Sequence, residues 1–192
     1  RRVLRWPSSP RPFFLSRDGF HLSAMGGSDH YYGIRHAHGR AMEQYVGTPV
    51  GYLRGVAGVY MFFAIESFID ELAHKIKEDP LQLRLSLLRE RSRLSAVLKR
   101  AAELGGWGKP QARNTGLGLA AITAQDAEAN TTRLAAVAQV YVDPNNGQIR
   151  VEKLTCVADC GIGINPRGAT AMAEGALLYG LRIALRGGGG IL

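Results

Sequence analysis

Hydrophobic residues in the middle of the chain, over positions 61–105, recur at spacings of three and four, the period of an amphipathic helix. The apolar stripe of the first predicted helix is Phe62, Ile65, Ile69, Leu72 and Ile76. A second helix is predicted to begin at Asp79 and Pro80, because Asp is a good N-cap and Pro suits the first helical position. A third helix is predicted over 94–104 and ends at Gly105, since Gly commonly terminates helices.

Alternating apolar and polar positions follow, which favours β-strands. Segment 116–123 predicts a short strand, and segments 133–142 and 148–158 flank the turn Asp143-Pro144-Asn145-Asn146-Gly147. Because Asn-Gly accepts positive φ at low cost, this turn predicts an antiparallel hairpin. A last helix is predicted over Ala169–Leu185, with Asn165 before Pro166 as its N-cap. The fold class is therefore α+β: a helical segment, an antiparallel β-hairpin and a C-terminal helix.

Charge and composition divide the chain into two parts. The 192 residues are 46% hydrophobic, which suits one globular domain, predicted over 41–192. The first 60 residues hold eight Arg and three acidic residues, so they carry +5 (8 − 3) of the net charge of +8. Residues 1–40 are interpreted as an irregular basic arm, solvated or packed on a partner, and no nucleic-acid partner is expected because these Arg residues share no helical face.

Compartment and redox state are weakly constrained. The sequence contains no apolar run of about 18 residues, so no membrane span is predicted. No signal peptide is recognised, and both cytoplasm and periplasm stay open as compartments. Cys156 and Cys160 would lie about 13 Å apart on one extended strand, too far for a disulfide, which needs Cα atoms within about 7 Å. Both thiols are therefore expected to pack in the core.

Several enzyme classes are excluded by missing motifs. No Gly-x-Ser-x-Gly, Walker loop or dinucleotide fingerprint occurs, so serine hydrolase, NTPase and Rossmann functions are not supported. His36 and His38 share one strand face near His30, but a solvent-facing loop is the favoured interpretation and no metal site is predicted. A hydrolase that uses these imidazoles in a remodelled pocket stays as an alternative.

Two sequence blocks carry a family resemblance. The first runs from Leu53-Arg54-Gly55-Val56-Ala57-Gly58 into Phe62-Phe63-Ala64-Ile65-Glu66-Ser67-Phe68-Ile69-Asp70-Glu71-Leu72-Ala73; the second joins Cys156–Pro166 to Glu174-Gly175. Together they resemble the large, molybdopterin-binding subunit of molybdenum hydroxylases, in the xanthine dehydrogenase–aldehyde oxidase superfamily. The similarity covers about residues 45–185 and is greatest to the isoquinoline 1-oxidoreductase beta-subunit type, so that the chain looks like a fragment.

The resemblance implies a cofactor, a reaction and partners. Molybdenum would be held by a molybdopterin, usually as the cytosine dinucleotide in bacteria, and the cofactor would supply the hard chemistry. The family hydroxylates a carbon next to a ring nitrogen, or an aldehyde carbon, with oxygen from water. The implied partners are the rest of the large subunit and an iron–sulfur subunit, and in isolation a homo-oligomer is an open possibility.

The cofactor-binding residues implied by the resemblance are Arg54, Gly55, Gly161, Asn165, Met172 and Glu174. Arg54 either faces the cofactor or forms a salt bridge to the nearby helix, and Asn165 also has a purely structural interpretation as a cap. Met172 stands where the family has a Gln that hydrogen-bonds the cofactor. No catalytic residue is assigned, because the family's catalytic Glu belongs to a Gly-Glu-Pro segment that the sequence does not contain. No turnover is expected of the isolated chain, and a non-catalytic binding protein without cofactor is the alternative.

Overall fold

The computed structural model describes residues 32–34, 53–88, 92–123 and 132–187. Four helices and three strands follow in the order α1 (Gly58–Ile76), α2 (Pro80–Leu87), α3 (Arg93–Gly105), β1 (Thr115–Thr123), β2 (Arg133–Val142), β3 (Ile149–Asp159) and α4 (Pro166–Arg186). The predicted α+β class is confirmed, with β1 added to the hairpin. The predictions on the basic arm other than 32–34, and on the histidines at 30, 36 and 38, lie outside the described residues.

The helix ends follow the predicted capping chemistry. The Asp79 carboxylate accepts hydrogen bonds from the Leu81 and Gln82 backbone N–H groups at 2.9 and 3.0 Å, with Pro80 at the first helical position. The third helix ends at Gly105, and the next residue, Gly106, adopts φ 76°, the left-handed conformation typical after a helix. These predicted boundaries are confirmed because they depend only on neighbouring residues.

The sheet is antiparallel, in the order β1-β2-β3, with the predicted hairpin between β2 and β3. Helix α3 packs on this sheet. The two come so close at Gly105 that a Cβ atom there would lie 2.6 Å from the Val137 Cβ. The core between them consists of Leu94, Val97, Leu98, Ala101, Leu119, Ala121, Ala135 and Val137.

Helix α1 turns most of the predicted stripe to the core. Ile69 is buried, and Ile65 and Leu72 pack against the core partly buried, whereas Ile76 is 50% exposed. The buried positions also include Glu66 and Ala73. Arg84 Nη1 on α2 donates to the Asp70 carboxylate at 2.6 Å, so this ionic contact joins two helices.

Helix α4 and the loop before it lie on the surface. None of the helix's residues is buried, and Ile162 and Ile164 in the preceding loop are 93% and 95% exposed. Cys156 and Cys160 are both free, as expected. The prediction of two core thiols is wrong for Cys160, which is exposed because it lies past the end of β3. None of the helices in the described ranges is long and apolar enough to span a bilayer.

Candidate functional site

The loop before α1 has an unusual backbone. Gly55 adopts φ 92° and Val56 adopts φ 45°, which is a rare conformation for a β-branched residue. The Val56 N–H donates to the Leu53 carbonyl at 2.8 Å, and the Gly58 N–H donates to the Gly55 carbonyl at 2.9 Å. Strained non-glycine positions of this kind cluster at binding sites, where the surrounding structure maintains them. The loop is therefore a candidate binding element.

The electrostatics of this loop suit a negatively charged group. Helix α1 begins after Ala57, and neither a side-chain cap nor an acidic residue in its first turn neutralises the partial positive charge there. Arg54 is exposed next to it and adds a permanent positive charge. Together the helix start and the guanidinium give this end of α1 a positive potential.

Arg54 approaches helix α4. Its guanidinium carbon lies 5.8 Å from the centroid of the Tyr179 ring, within the range of a cation–π contact. The hydroxyl oxygen of Tyr179 is buried and has no hydrogen-bond partner among the described residues. This contact brings the first sequence block next to helix α4, which carries part of the second block. The alternative interpretation, a salt bridge from Arg54 to the nearby helix, does not occur among the described residues, where Arg54 contacts this ring.

Two of the predicted residues lie along α4 itself. Met172 is 64% exposed and precedes Tyr179 by seven residues, which places both on one helix face about 10 Å apart along the axis. Glu174 is exposed, and a Cβ added at Gly175 would meet nothing within 4 Å. This part of the helix is therefore open to a ligand, although a Met side chain offers no hydrogen-bond donor.

The remaining two predicted residues lie at the other end of α4. The Asn165 side-chain oxygen accepts a hydrogen bond from the Gly168 N–H at 3.0 Å, so the capping interpretation is confirmed. Asn165 precedes Tyr179 by fourteen residues, or about 21 Å of helix. The six predicted residues therefore form an Arg54 group and a Gly161–Asn165 group, with Met172 and Glu174 between them.

A charged contact that sequence reasoning missed holds the turn at Gly161. Arg93, the first residue of α3, donates to both carboxylate oxygens of Asp159, with Nε at 2.6 Å from Oδ2. Asp159 Oδ1 also accepts from the Gly161 N–H at 3.1 Å, and Gly161 has φ 74°. The Arg93 hydrogen bonds, followed by the Gly161 N–H, lower the pKa of Asp159 to about 2.

A buried polar cluster lies beneath α1. Glu66 accepts from the Tyr32 hydroxyl at 2.8 Å, from Arg84 Nε at 3.0 Å and from the Ala121 N–H at 2.9 Å. These partners tie α1 to α2, to β1 and to residues 32–34. The sequence signal was present, since Phe62, Glu66, Ile69 and Ala73 share one helical face, and a carboxylate on a buried face needs partners.

The environment of this cluster shifts the pKa of two of its groups, Tyr32 and Arg84. Burial, and then the Glu66 carboxylate, raises the pKa of Tyr32 far above its ordinary value, so its hydroxyl stays a donor. Burial by itself lowers the pKa of Arg84, but Glu66 and Asp70 outweigh it and the pKa lies above the usual value. Tyr32, Glu66 and Arg84 are all used in structural contacts, so the cluster supports the site.

Comparison with known proteins decides the family. The model of the molybdopterin cofactor-binding domain matches residues 67–186, which is most of the chain. The chain belongs to the molybdopterin-binding subunits of the molybdenum hydroxylase family. The matched segment contains the sheet, helix α4 and the predicted residues Gly161, Asn165, Met172 and Glu174, whereas Arg54 and Gly55 precede it.

Three curated relatives of this molybdenum hydroxylase domain are longer proteins. The chain is 34% identical over 180 residues to the "Membrane-bound aldehyde dehydrogenase (pyrroloquinoline-quinone)" of Gluconacetobacter polyoxogenes, covering 84% of the chain and 23% of that protein. It is 31% identical over 138 residues to the beta subunit of isoquinoline 1-oxidoreductase of Brevundimonas diminuta, covering 72% and 17%. It is 30% identical over 147 residues to a nicotinate dehydrogenase subunit of Pseudomonas putida, covering 68% and 12%. The chain thus spans less than a quarter of each relative.

The residues of this molybdenum hydroxylase domain are compatible with the family's cofactor at the Arg54 end. The buried Tyr179 hydroxyl lacks a partner among the described residues, and Gly55 has a backbone that a side chain would strain. A phosphate or pterin could accept hydrogen bonds from the Arg54 guanidinium at the same place. Among the described residues, no three His, Cys, Asp or Glu side chains gather as a metal site.

Proposed function

We propose that this chain binds part of a molybdenum–pterin cofactor in an oxidoreductase that hydroxylates N-heteroaromatic or aldehyde carbons. The observation that carries the proposal is the Arg54–Tyr179 contact, at 5.8 Å from guanidinium carbon to ring centroid. It puts a strained, positively charged loop beside a helix that is exposed along its length. Cofactor pockets commonly form where separate structural elements meet.

Each residue has a definite task in the proposed site. The Arg54 guanidinium would donate hydrogen bonds to an anionic oxygen, Gly55 would allow its backbone to approach closely, and Tyr179 would donate from its hydroxyl. Glu174 would accept from N–H groups of a pterin, while Met172 would give an apolar contact only. When bound, the cofactor supplies the two-electron oxidation of the substrate carbon, with oxygen from water.

The cytosine dinucleotide is the proposed form of the cofactor. About 21 Å of helix separates Tyr179 from Asn165, and an extended dinucleotide suits two separated groups of residues better than a compact ligand does. The remainder of the large subunit and an iron–sulfur protein are the proposed partners. Support for partners comes from the isoquinoline and nicotinate relatives, each of which is described as a subunit.

The test analyses the holoprotein that carries this sequence, purified from cells supplied with molybdate. We expect molybdenum by mass spectrometry, a fluorescent oxidised pterin, and cytidine monophosphate after hydrolysis. A quinone spectrum without molybdenum would overturn the proposal, because one relative is described as a pyrroloquinoline-quinone protein. Protein that repeatedly carries neither group would favour the non-catalytic alternative.

A substitution tests the role of Arg54. Replacing it as Arg54→Ala should reduce molybdenum and pterin occupancy under limiting cofactor by about tenfold, the size expected for a lost charge-assisted hydrogen bond. The control is Arg113→Ala, another exposed arginine, which lies in the segment between α3 and β1. Equal occupancy in the two variants would contradict a cofactor contact at Arg54.

A further inference from the structure

The loop that leads from β3 into α4 has few polar anchors. From Cys160 to Ile164, its one hydrogen bond within the described residues is that of the Gly161 N–H to Asp159 Oδ1, at 3.1 Å. The two isoleucines of the loop are almost fully exposed, so apolar packing does not hold it within the described part of the chain. The conformation of the loop therefore depends on where the Asp159 carboxylate is held.

Arg93 holds that carboxylate from a rigid element. It is the first residue of α3, directly after the N-cap Ser92, whose side chain accepts from the Ser95 N–H. The same helix packs on the sheet through the buried side chains of Leu94 and Leu98. The guanidinium donates to both carboxylate oxygens. Two hydrogen bonds fix the orientation of the carboxylate, whereas one would leave it free to rotate.

We propose that Arg93 is a positioning residue, which acts through Asp159 to hold the Gly161–Asn165 loop in the conformation that receives the cofactor. The inference rests on the proposed function, since the loop contains two of the predicted cofactor-binding residues. Arg93 itself need not touch the cofactor. It transmits the rigid position of α3 to a loop that has no other polar anchor among the described residues.

The pH dependence follows from the charges around Asp159. Arg93 on α3 and Arg133 on β2, the strand partner of Asp159, face the carboxyl and keep it ionised, and the thiol of Cys160 is the next titratable group along the chain. A carboxyl with a depressed folded pKa stabilises the folded loop above its ordinary pKa of about 3.9. This contribution disappears as the pH falls toward about 2, the folded pKa of Asp159. Without Arg93 that pKa rises, so the loop should loosen at a higher pH.

The first measurement follows amide hydrogen exchange in the peptide that spans the loop, at neutral pH. The Arg93→Gln variant should exchange there about fivefold faster than wild type, the upper range for an exposed ion pair. Arg93→Lys should recover part of the protection, because it keeps the charge but loses the two-point grip. The control is Arg100→Gln, which breaks an exposed pair with Glu103 on the same helix and should leave the loop unchanged.

The second measurement follows molybdenum retained by the holoprotein between pH 7 and pH 4. Wild type should retain it over this range, whereas Arg93→Gln should lose it progressively below about pH 5. Unchanged loop exchange in Arg93→Gln would refute the positioning role, and faster exchange with an unchanged retention profile would refute its link to the cofactor. If wild type holds no molybdenum at all, the proposed function fails. The exchange result still shows whether the Arg93–Asp159 contact holds the loop.

Discussion

Replacing Arg84 with Met should cost more stability than any exposed substitution in this chain, because it removes the partner of a buried carboxylate. The Arg84 side chain is 0% exposed and that of Glu66 is 7% exposed. Arg84 donates to Glu66 Oε2 at 3.0 Å, to the Glu66 carbonyl at 3.0 Å, to Asp70 at 2.6 Å and to the Pro80 carbonyl at 3.2 Å. Arg84→Met loses all four bonds and removes the positive charge that faces the Glu66 carboxylate.

The magnitude follows from the partners that remain. Removing one member of a buried ion pair typically costs about 3–5 kcal/mol. The Tyr32 hydroxyl and the Ala121 N–H still bind Glu66, so we expect the lower end, about 3 kcal/mol. The double variant Glu66→Gln/Arg84→Met should recover about 1–2 kcal/mol of this loss, because a neutral amide costs less to bury than a carboxylate that has lost Arg84, and its oxygen keeps one acceptor.

Urea unfolding measures these differences. With a slope of about 2 kcal/mol per molar urea, Arg84→Met should lower the midpoint by about 1.5 M. The matched control is Arg100→Met, whose exposed pair with Glu103 should be worth at most about 1 kcal/mol. A loss for Arg84→Met no larger than the control's, or a double variant less stable than Arg84→Met, would refute the reasoning.

Two further substitutions test the packing of the helices. Gly105→Ala should destabilise the chain by about 1–3 kcal/mol, because the new Cβ would lie 2.6 Å from the Val137 Cβ, whereas Gly116→Ala, with nothing within 4 Å, should stay near neutral in thermal unfolding. Equal midpoints for the two would contradict the close approach of α3 to the sheet. Asp79→Ala should cost about 1–2 kcal/mol and shift the tryptophan emission, since Asp79 caps α2 and also accepts from Trp107 Nε1 at 3.0 Å; an unchanged spectrum would argue against that bond.

Much of the local structure could be predicted from the chain. The caps Asp79 and Asn165 and the hairpin at Gly147 each depend on interactions within a few residues, and all three occur as expected. The buried face of α1 was predicted only in part, because the apolar pattern did not include Glu66, which the structure buries. A charged residue on a helical face can be buried wherever another element brings a partner, and the partner here is 18 residues away.

The family's recurring motifs identified the candidate site residues, whereas their spatial grouping needed the fold. Arg54 was expected near a cofactor or a carboxylate, and the structure puts it over the ring of Tyr179. Nothing in the spacing of the motifs indicated that Arg93 would hold Asp159, 66 residues further along the chain. The roles of the predicted residues toward a cofactor stay predictions until the occupancy measurements are made.

The sequence by itself determined the helices, the caps at Asp79 and Asn165, the hairpin and the molybdenum hydroxylase family, because periodicity, turn residues and motifs are local properties. Only the tertiary structure decided which charges meet: Glu66 with Arg84 in the core, and Arg93 with Asp159 beside the loop. The physical reason is that an ionic contact depends on the distance between two charges and on their removal from water. Spacing along the chain determines neither for residues on different elements.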